Sequence, residues 1–470
     1  MNTPASTDCD ILIIGGGISG LVTAHALRRE GLDVQLLEAG PGPGGNMRTM
    51  RAEGWLVEAG PNSTLENDPA LTGLIDELGL RPRVREADPV SAKRFVVKRG
   101  EVIALPTSPA ALLSNPLFSY KDVMRLAGEP FIGRADREET IAEFVRRRLG
   151  QGFLDWAIDP FVSGVYAGDP DRLSVRAATP KIHALEVEYG SLIHGAFKRM
   201  RQKRKAGQQA PEGLQAMPSG RMISFDDGMG VLPETLAESL GEAFLPNRTV
   251  QALHHDSTTG QWRVTTGTGE TFTAGQVILS TPADVTARLL EPLDPELARL
   301  LREIVYPPVA SVALGFREAQ VEHPLDGFGM LIPSREGRRT LGALFSSSLF
   351  DGRAPDGHVL LTAFIGGRRQ PDTVEGDDGV VVERVMKDLS ALLGILGDPV
   401  RTRVTRWPRA IPQYELGHLE RLEQIDRHLA DLPGLSCRAN WRDGISVADC
   451  VRNARAHAGK LAGQAARDKG

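Results

Sequence analysis

The chain has little that would staple it, anchor it in a membrane or hand it a ready catalytic engine. Its three cysteines, Cys9, Cys437 and Cys450, are odd in number and scattered. That excludes a disulfide framework and a cysteine metal site, and reads as reduced thiols in a reducing compartment. The longest apolar stretches, such as VASVALGF, fall far short of the ~18 residues a spanning helix needs, so no span is expected. A formal charge of −5 does not suit a nucleic-acid binder. The opening MNTPASTDCD has neither a basic nor an apolar region, so no secretion signal is expected. HExxH, a GxSxG elbow, a serine–histidine set and clustered metal ligands are missing, which sets aside protease and hydrolase chemistry and predicts no metal site.

What is present is an ordinary globular balance, 41% apolar and 24% charged over 470 residues, enough for two or three domains. Near its start stands ILIIGGGISGL, residues 11–21. The pattern predicts a strand over 10–14, a helix over 18–30 with Leu21, Ala24 and Leu27 on one side, and a strand over 34–37 ending at Glu38. Gly15, Gly17 and Gly20 then form G-x-G-x-x-G between strand and helix. The first permits the tight turn, the second lets backbone approach a pyrophosphate, and the third lets helix and strand pack closely. Glu38 stands where a carboxylate accepts adenosine ribose hydroxyls. This is a dinucleotide site.

From about 105 to 150 the chain is punctuated by proline and reads as short helices, with TIAEFVRRRLG a helix with a basic end. FKRMRQKRK (197–205) leads into AGQQAPEGLQAMPSG, a polar stretch expected to be an exposed loop. α/β character returns near 228 with a glycine-led helix, GMGVLPETLAESLG, and the strands TVQALHHD, QWRVTTG and ETFTAGQVILSTPA. VASVALGF through HVLLTAFIGG is strand-rich; ANWRDGIS reads as strand-like, and VADCVRNARAHAGKLAGQAA as a closing helix.

EAGPGPGGNMRT, with Gly44, Gly45 and Arg48 just past Glu38, resembles the extended signature of FAD-containing amine oxidase-type flavoproteins rather than NAD dehydrogenases. That resemblance implies one non-covalent FAD. It would be held by Gly15, Gly16, Gly17, Ile18, Ser19 and Gly20, by Glu38 and Ala39, and by Gly45, Asn46 and Arg48. Gly60, Pro61, Asn62 and Ser63 would form a second loop, and Val250 would meet the adenine with its backbone. Trp407, Ile445, Ser446 and Val447 would lie by the isoalloxazine.

GPNS, KRFVVKRGEVIALP, PFVSGVYAGDP, GFGMLIPS, TLGALFSSSLFDGRAP, FIGG, RWPRAIPQY and GISVADCV occur in this order along nearly the whole chain. On them the sequence resembles the protoporphyrinogen IX oxidases. One departure is Arg438-Ala439-Asn440, where that family has a small-Gly-Asn step. The resemblance implies an α/β fold with three interleaved parts. The first is a Rossmann-like FAD domain of the p-hydroxybenzoate hydroxylase/amine oxidase type (1–85, 228–302, 404–470). The second is a mixed α+β substrate domain (86–113, 202–227, 303–403), and the third a helical membrane-facing insertion (114–201).

It also implies a six-electron oxidation of protoporphyrinogen IX to protoporphyrin IX in haem synthesis, in three flavin cycles reoxidised by O2 with hydrogen peroxide formed. The flavin carries the hard step, so no catalytic side chain is required. Leu331 and Leu344 would sandwich one pyrrole ring, Phe364 would stack on another, and Arg94 would pair with a propionate. Asn62 would sit near the ring edge, and Ala167 and Gly168 would offer carbonyls to pyrrole N–H groups. Diphenyl-ether inhibitors would occupy the same slot. On the residues alone Leu331, Leu344 and Phe364 read as core, Arg94 as a surface charge, and the histidines as structural.

Coproporphyrinogen III, with four propionates, is the rival substrate; more cations around the slot would mark it. An amine oxidase would want an aromatic cage, which five tyrosines ill supply. A carotenoid desaturase lacks the GALFSSSLF and RWPRAIPQY stretches. A flavin-free lipid- or prenyl-binding chaperone on this scaffold is opposed by the intact glycines and Glu38. Six basic residues in 198–205 read on their own as a solvated face; beside apolar helices the alternative is peripheral contact with anionic lipid at the cytoplasmic face. A homodimer stays open.

Overall fold

The computed structural model describes residues 7–205 and 220–468. Two seven-stranded sheets organise it. In the first, Thr7–Ile14 lies between Val34–Leu37 and Thr271–Leu279, parallel to both. Phe244–Leu245 extends one edge, Gln261–Thr266 and Val250–Asp256 extend the other, and Leu435–Cys437 pairs with Thr271–Leu279. Parallel strands covered on both faces read as unbroken apolar runs, which is why ILII does not alternate. Ile11 and Ile13 face one core, with the helices Ile18–Arg29, Val231–Leu240 and Val447–Asp468. Leu12 and Ile14 face another, with Trp262 and the helices Ala283–Leu290, Pro295–Arg302 and His418–Ala430.

The second sheet runs Arg401–Trp407, Val309–Arg317, His358–Gly366, Thr340–Leu344, Gly329–Leu331, Phe95–Lys98, Glu101–Ala104. Side chains alternate across it. Phe95, Val97, Val312, Leu314, Met330, Ala343, Leu361 and Ala363 are buried under the helix Asp378–Leu393. The opposite alternation lines a cleft.

Between 109 and 205 the chain is helical. The basic end of Ile141–Arg148 is only partly solvated: Arg146 is exposed, but Arg148 is 0% exposed, 2.8 Å from Glu186 Oε1 and 3.1 Å from Glu129 Oε1. Glu129 also accepts the Ser191 hydroxyl (2.6 Å) and the Leu192 N–H (2.9 Å), so one buried pair fixes where Leu192–Lys205 begins.

Other expectations fail for identifiable reasons. ANWRDGIS is no strand: Asn440–Asp443 is a helical turn, drawn inward because Trp441 is fully buried and donates to Thr281 O at 3.1 Å. Arg221–Phe225, within the segment 202–227 assigned to the substrate domain, pairs with Thr64–Glu66 and Val84–Glu86. Arg401–Trp407, which runs across the boundary drawn at 404, is wholly an edge strand of that sheet. The loop expected at 206–219 lies outside the described residues.

Candidate active site

The glycine turn is shaped around an open space. Gly15 has φ +112°, and a Cβ there would lie 2.6 Å from Ser280 O. A Cβ at Gly20 would lie 2.0 Å from Gly15 O, so helix and strand meet only because it is glycine. At Gly17 a Cβ would meet nothing within 4 Å. Three glycines therefore do three jobs, and the second leaves room in front of the helix N-terminus, where an anion is favoured. Gly44 N–H donates to Gly16 O at 2.8 Å and Gly45 packs against the Gly17 Cα, which brings the second glycine pair alongside this space.

Glu38 is held by its neighbours' amides, Gly16 N–H and Gly40 N–H, each at 2.7 Å. Arg248 N–H donates to Glu38 O at 2.8 Å, so the strand of Val250 starts beside the carboxylate; its ladder is bulged at Val250–Ala252, which takes backbone out of regular pairing there. Arg48 lies 6.0 Å over the Trp407 ring, and Trp407 Nε1 donates to Ala59 O at 2.7 Å, beside the Gly60–Ser63 loop. Ala39 and Asn46 are exposed, and Ile18, Gly45, Pro61 and Ser63 half-buried. Val447 is buried at the start of the last helix, half-buried Ile445 precedes it, and Ser446 caps that helix by accepting Asp449 N–H at 3.1 Å. The space, the carboxylate and the dipole end suit an adenine dinucleotide.

The cleft face of the second sheet gathers the expected substrate residues. Strand register puts Arg94 beside Gly329, Leu344 and Thr362 in one row, and Val96 beside Leu331, Gly342, Phe364 and Ser311 in the next. Arg94, Leu344, Leu331 and Phe364 are all half-buried. They come from four adjacent strands, so Arg94 and Phe364 stand about 14 Å apart across the sheet. Burial lowers the pKa of Arg94, whose guanidinium lies 5.2 Å over the Phe328 ring and stays charged. A Cβ at Gly164 would lie 2.3 Å from Leu331 Cδ2, so the helix Asp159–Tyr166 presses directly on Leu331.

Asn62 Nδ2 donates to its own loop at Gly60 O (3.1 Å) and shares a small recess with Thr362 and Ser346, whose hydroxyls are 2.8 Å apart. Ala167 does not fit its expected role. It is 4% exposed, and its carbonyl already accepts the Arg368 N–H at 2.8 Å. Gly168 is buried beside Leu173 and Gln413.

Sequence reasoning missed the polar joint of this cleft. Arg353, 3% exposed, donates to Glu58 Oε1 (2.8 Å) and Ser224 Oγ (2.5 Å). Glu58 also accepts Thr49 Oγ1 (2.6 Å) and Met229 N–H (2.8 Å). Burial pushes the Glu58 carboxyl up, and Arg353 opposes it. The joint ties the segment before Gly60 to the second sheet. Arg438, the departure from the family step, forms a bidentate pair with Asp443, and Tyr414 O–H accepts Gly444 N–H at 2.8 Å. That turn is closed by its own residues.

The family model described as flavin-containing amine oxidoreductase matches residues 18–458. The chain belongs to that family. This flavoprotein is 35% identical to protoporphyrinogen oxidase 1, chloroplastic, of Arabidopsis thaliana, over 96% of the chain and 87% of that protein. It is 30% identical to coproporphyrinogen III oxidase of Bacillus subtilis (strain 168), over 95% of the chain and 96% of the relative. A solved structure from Exiguobacterium sp. 255-15, provisionally named a protoporphyrinogen oxidase, is 26% identical with a TM-score of 0.82, covering 98% of this chain and 100% of that one. The fold and the flavin-dependent oxidoreductase class follow.

Proposed function

We propose that this flavoprotein oxidises protoporphyrinogen IX to protoporphyrin IX, with non-covalent FAD in the glycine cradle and O2 as final acceptor. The observation that carries the reading is the cleft face itself: one guanidinium and three half-buried apolar side chains on adjacent strands, joined through Trp407 and Asn62 to the dinucleotide loops. When bound, the flavin supplies the acceptor for two electrons at a time. The chain's residues do the rest. Arg94 fixes one propionate with charge-assisted hydrogen bonds. Leu331, Leu344 and Phe364 hold the macrocycle flat and exclude water. Thr362 and Ser346 give the adjoining recess its polar lining.

The test is aerobic turnover by purified, yellow protein. Porphyrin fluorescence should grow from protoporphyrinogen with three O2 consumed per porphyrin. No growth with either porphyrinogen would overturn the reading.

The same proposal puts the chain at a membrane surface. No helix among the described residues is long and apolar enough to cross a membrane. Leu113 (69% exposed), Tyr120, Phe131 (90%) and Phe197 nevertheless project from the helical part, near Lys198 and Arg201. Co-flotation with anionic liposomes at low salt, lost at high salt, is the result that supports this; no co-flotation contradicts it.

A further inference from the structure

We infer that Glu58 is the proton outlet of the cleft. It takes up, through the Ser346–Thr362 hydroxyl pair, the proton that a pyrrole N–H gives up in each oxidation step, and passes it to solvent through Thr49. This rests on the reading of the cleft as a porphyrinogen site. Each two-electron step removes a hydride from a ring-bridging carbon and a proton from a pyrrole nitrogen. The hydride goes to the acceptor the flavin supplies; the proton needs a way out of an apolar slot. A polar opening leads there. Along His358–Gly366, Leu360, Thr362 and Phe364 face the same side at intervals of about 7 Å. Leu360 is covered by the hairpin of Thr49–Ala52 and Trp55–Glu58, in one cluster with Trp55 and Val57. Phe364 lies on the cleft. Thr362 stands between them, in the recess it shares with Ser346, Asn62, Glu58 and Arg353. The last residue of the covering hairpin therefore meets the substrate row across a polar gap.

The groups along this line are arranged to carry a proton. Ser346 Oγ and Thr362 Oγ1, both buried, lie 2.8 Å apart. Their mutual bond uses one of two hydroxyl protons, so the pair can accept a proton on one oxygen and release one from the other. One water bridging the recess completes the path to the carboxylate. The two oxygens of Glu58 have different neighbours. Oε1 accepts Arg353 Nη1 and the Met229 N–H, each at 2.8 Å. Among the described residues Oε2 accepts the Thr49 hydroxyl alone, at 2.6 Å, and Thr49 Oγ1 accepts the Gly230 N–H at 2.8 Å. A proton taken up on Oε2 leaves the bond to Arg353 intact and reverses the one to Thr49, whose own proton is then free to leave. Thr49 is half-buried, two residues from exposed Arg51, which pairs with exposed Asp227 and Glu234. Arg353, and Arg51 beyond it, are the charges that face Glu58. Burial outweighs them and the hydrogen bonds, so the carboxyl exchanges protons nearer neutral pH than an exposed glutamate does.

The experiment uses flavin-loaded wild type, Glu58→Gln, Glu58→Asp and Thr362→Val, with melting temperature and flavin content checking the fold. Anaerobic flavin bleaching by protoporphyrinogen is timed across pH. In wild type the rate should fall as pH drops through the raised Glu58 pKa, because a protonated carboxyl takes no further proton. Glu58→Gln should bleach about a hundredfold more slowly near neutral pH and lose that limb, while Glu58→Asp keeps it. Thr362→Val should keep the limb at a rate about tenfold lower, and KM should stay within about threefold of wild type throughout. Infrared difference spectra of the same proteins without substrate read Glu58 itself. A protonated-carboxyl band persisting above about pH 5, where ordinary carboxyls are ionised, should vanish in Glu58→Gln and not in the other variants. A limb or a band that survives Glu58→Gln overturns the inference. Unchanged bleaching in Thr362→Val overturns it too, even if Glu58→Gln fails to fold. Wild type that leaves protoporphyrinogen unoxidised overturns the reading of the cleft instead, and the inference with it.

Discussion

Two glycines six ångströms or less along one turn separate the cost of filling the cofactor cradle from the cost of breaking the fold. Gly17 caps the first helix with φ −72°, and a methyl there points into open space. Alanine is a poorer cap than glycine by some tenths of a kcal/mol, and the stiffer unfolded chain offsets most of that, so Gly17→Ala should change folding stability by less than about 1 kcal/mol. The same methyl occupies the approach to a pyrophosphate. Losing one charge-assisted hydrogen bond there is worth about 1.5–3 kcal/mol, or about ten- to hundredfold in FAD affinity. Gly20→Ala is the counterpart. Its Cβ would sit 2.0 Å from Gly15 O and 3.2 Å from Ser280, so strand and helix must part, costing about 1–3 kcal/mol or more. Flavin fluorescence titration and circular-dichroism melts read the two quantities separately. Gly17→Ala that binds FAD like wild type would refute the reasoning, as would equal melting losses in both variants.

Three further outcomes are expected. Arg94→Ala should raise KM for protoporphyrinogen about ten- to hundredfold and leave kcat within about threefold, since a propionate contact is ground-state binding; steady-state kinetics with unchanged KM would remove Arg94 from the site. Arg148→Met should lower stability by about 3–5 kcal/mol in urea titration, because it leaves the buried Glu129 without a cation and Glu186 with Arg147 alone, whereas Arg146→Met, on the exposed pair with Asp171, should cost under about 1 kcal/mol. Equal costs would contradict the buried network. His418 is 0% exposed, stacked 4.3 Å from Tyr414, and burial holds its pKa down to about 4 from 6.5. A depressed histidine contributes stability that is complete above the unfolded value and lost as pH falls from about 6.5 toward 4, at most about 3 kcal/mol. His418→Phe should flatten that slope in urea midpoints measured across the range; an unaltered slope would assign the loss elsewhere.

Local signals carried much of the reading. Gly15, Gly17 and Gly20 act within a single turn, so spacing alone announced them, and ILII announced a buried parallel strand. The apolar block VASVALGF through HVLLTAFIGG was legible as strand-rich, but not that Arg94, Leu344, Leu331 and Phe364 would stand in adjacent rows. That depends on register between strands up to some 270 residues apart, which the bulge at Thr340–Gly342 helps set. Arg353 and Glu58 were invisible for the same reason, since each looks like a surface charge until the fold brings them together. TIAEFVRRRLG was legible as a helix with a basic end, but not the burial of Arg148, because helix periodicity says nothing about Glu129 and Glu186, which arrive from other helices. In the tail, Trp441 overrides a strand-like pattern through a tertiary bond to Thr281, and Arg438 closes the turn locally on Asp443. Apart from Arg438, the misjudged residues are polar groups whose partners lie far along the chain.

The central claim is that a flavin in the first sheet's crevice takes electrons from a porphyrinogen lying on the second sheet. Anaerobic mixing of the flavin-loaded protein with protoporphyrinogen IX tests it most directly, by following flavin absorbance and porphyrin fluorescence together. Rapid bleaching with three flavins reduced per porphyrin formed is the predicted result. Flavin that stays yellow through the same mixing would contradict the account.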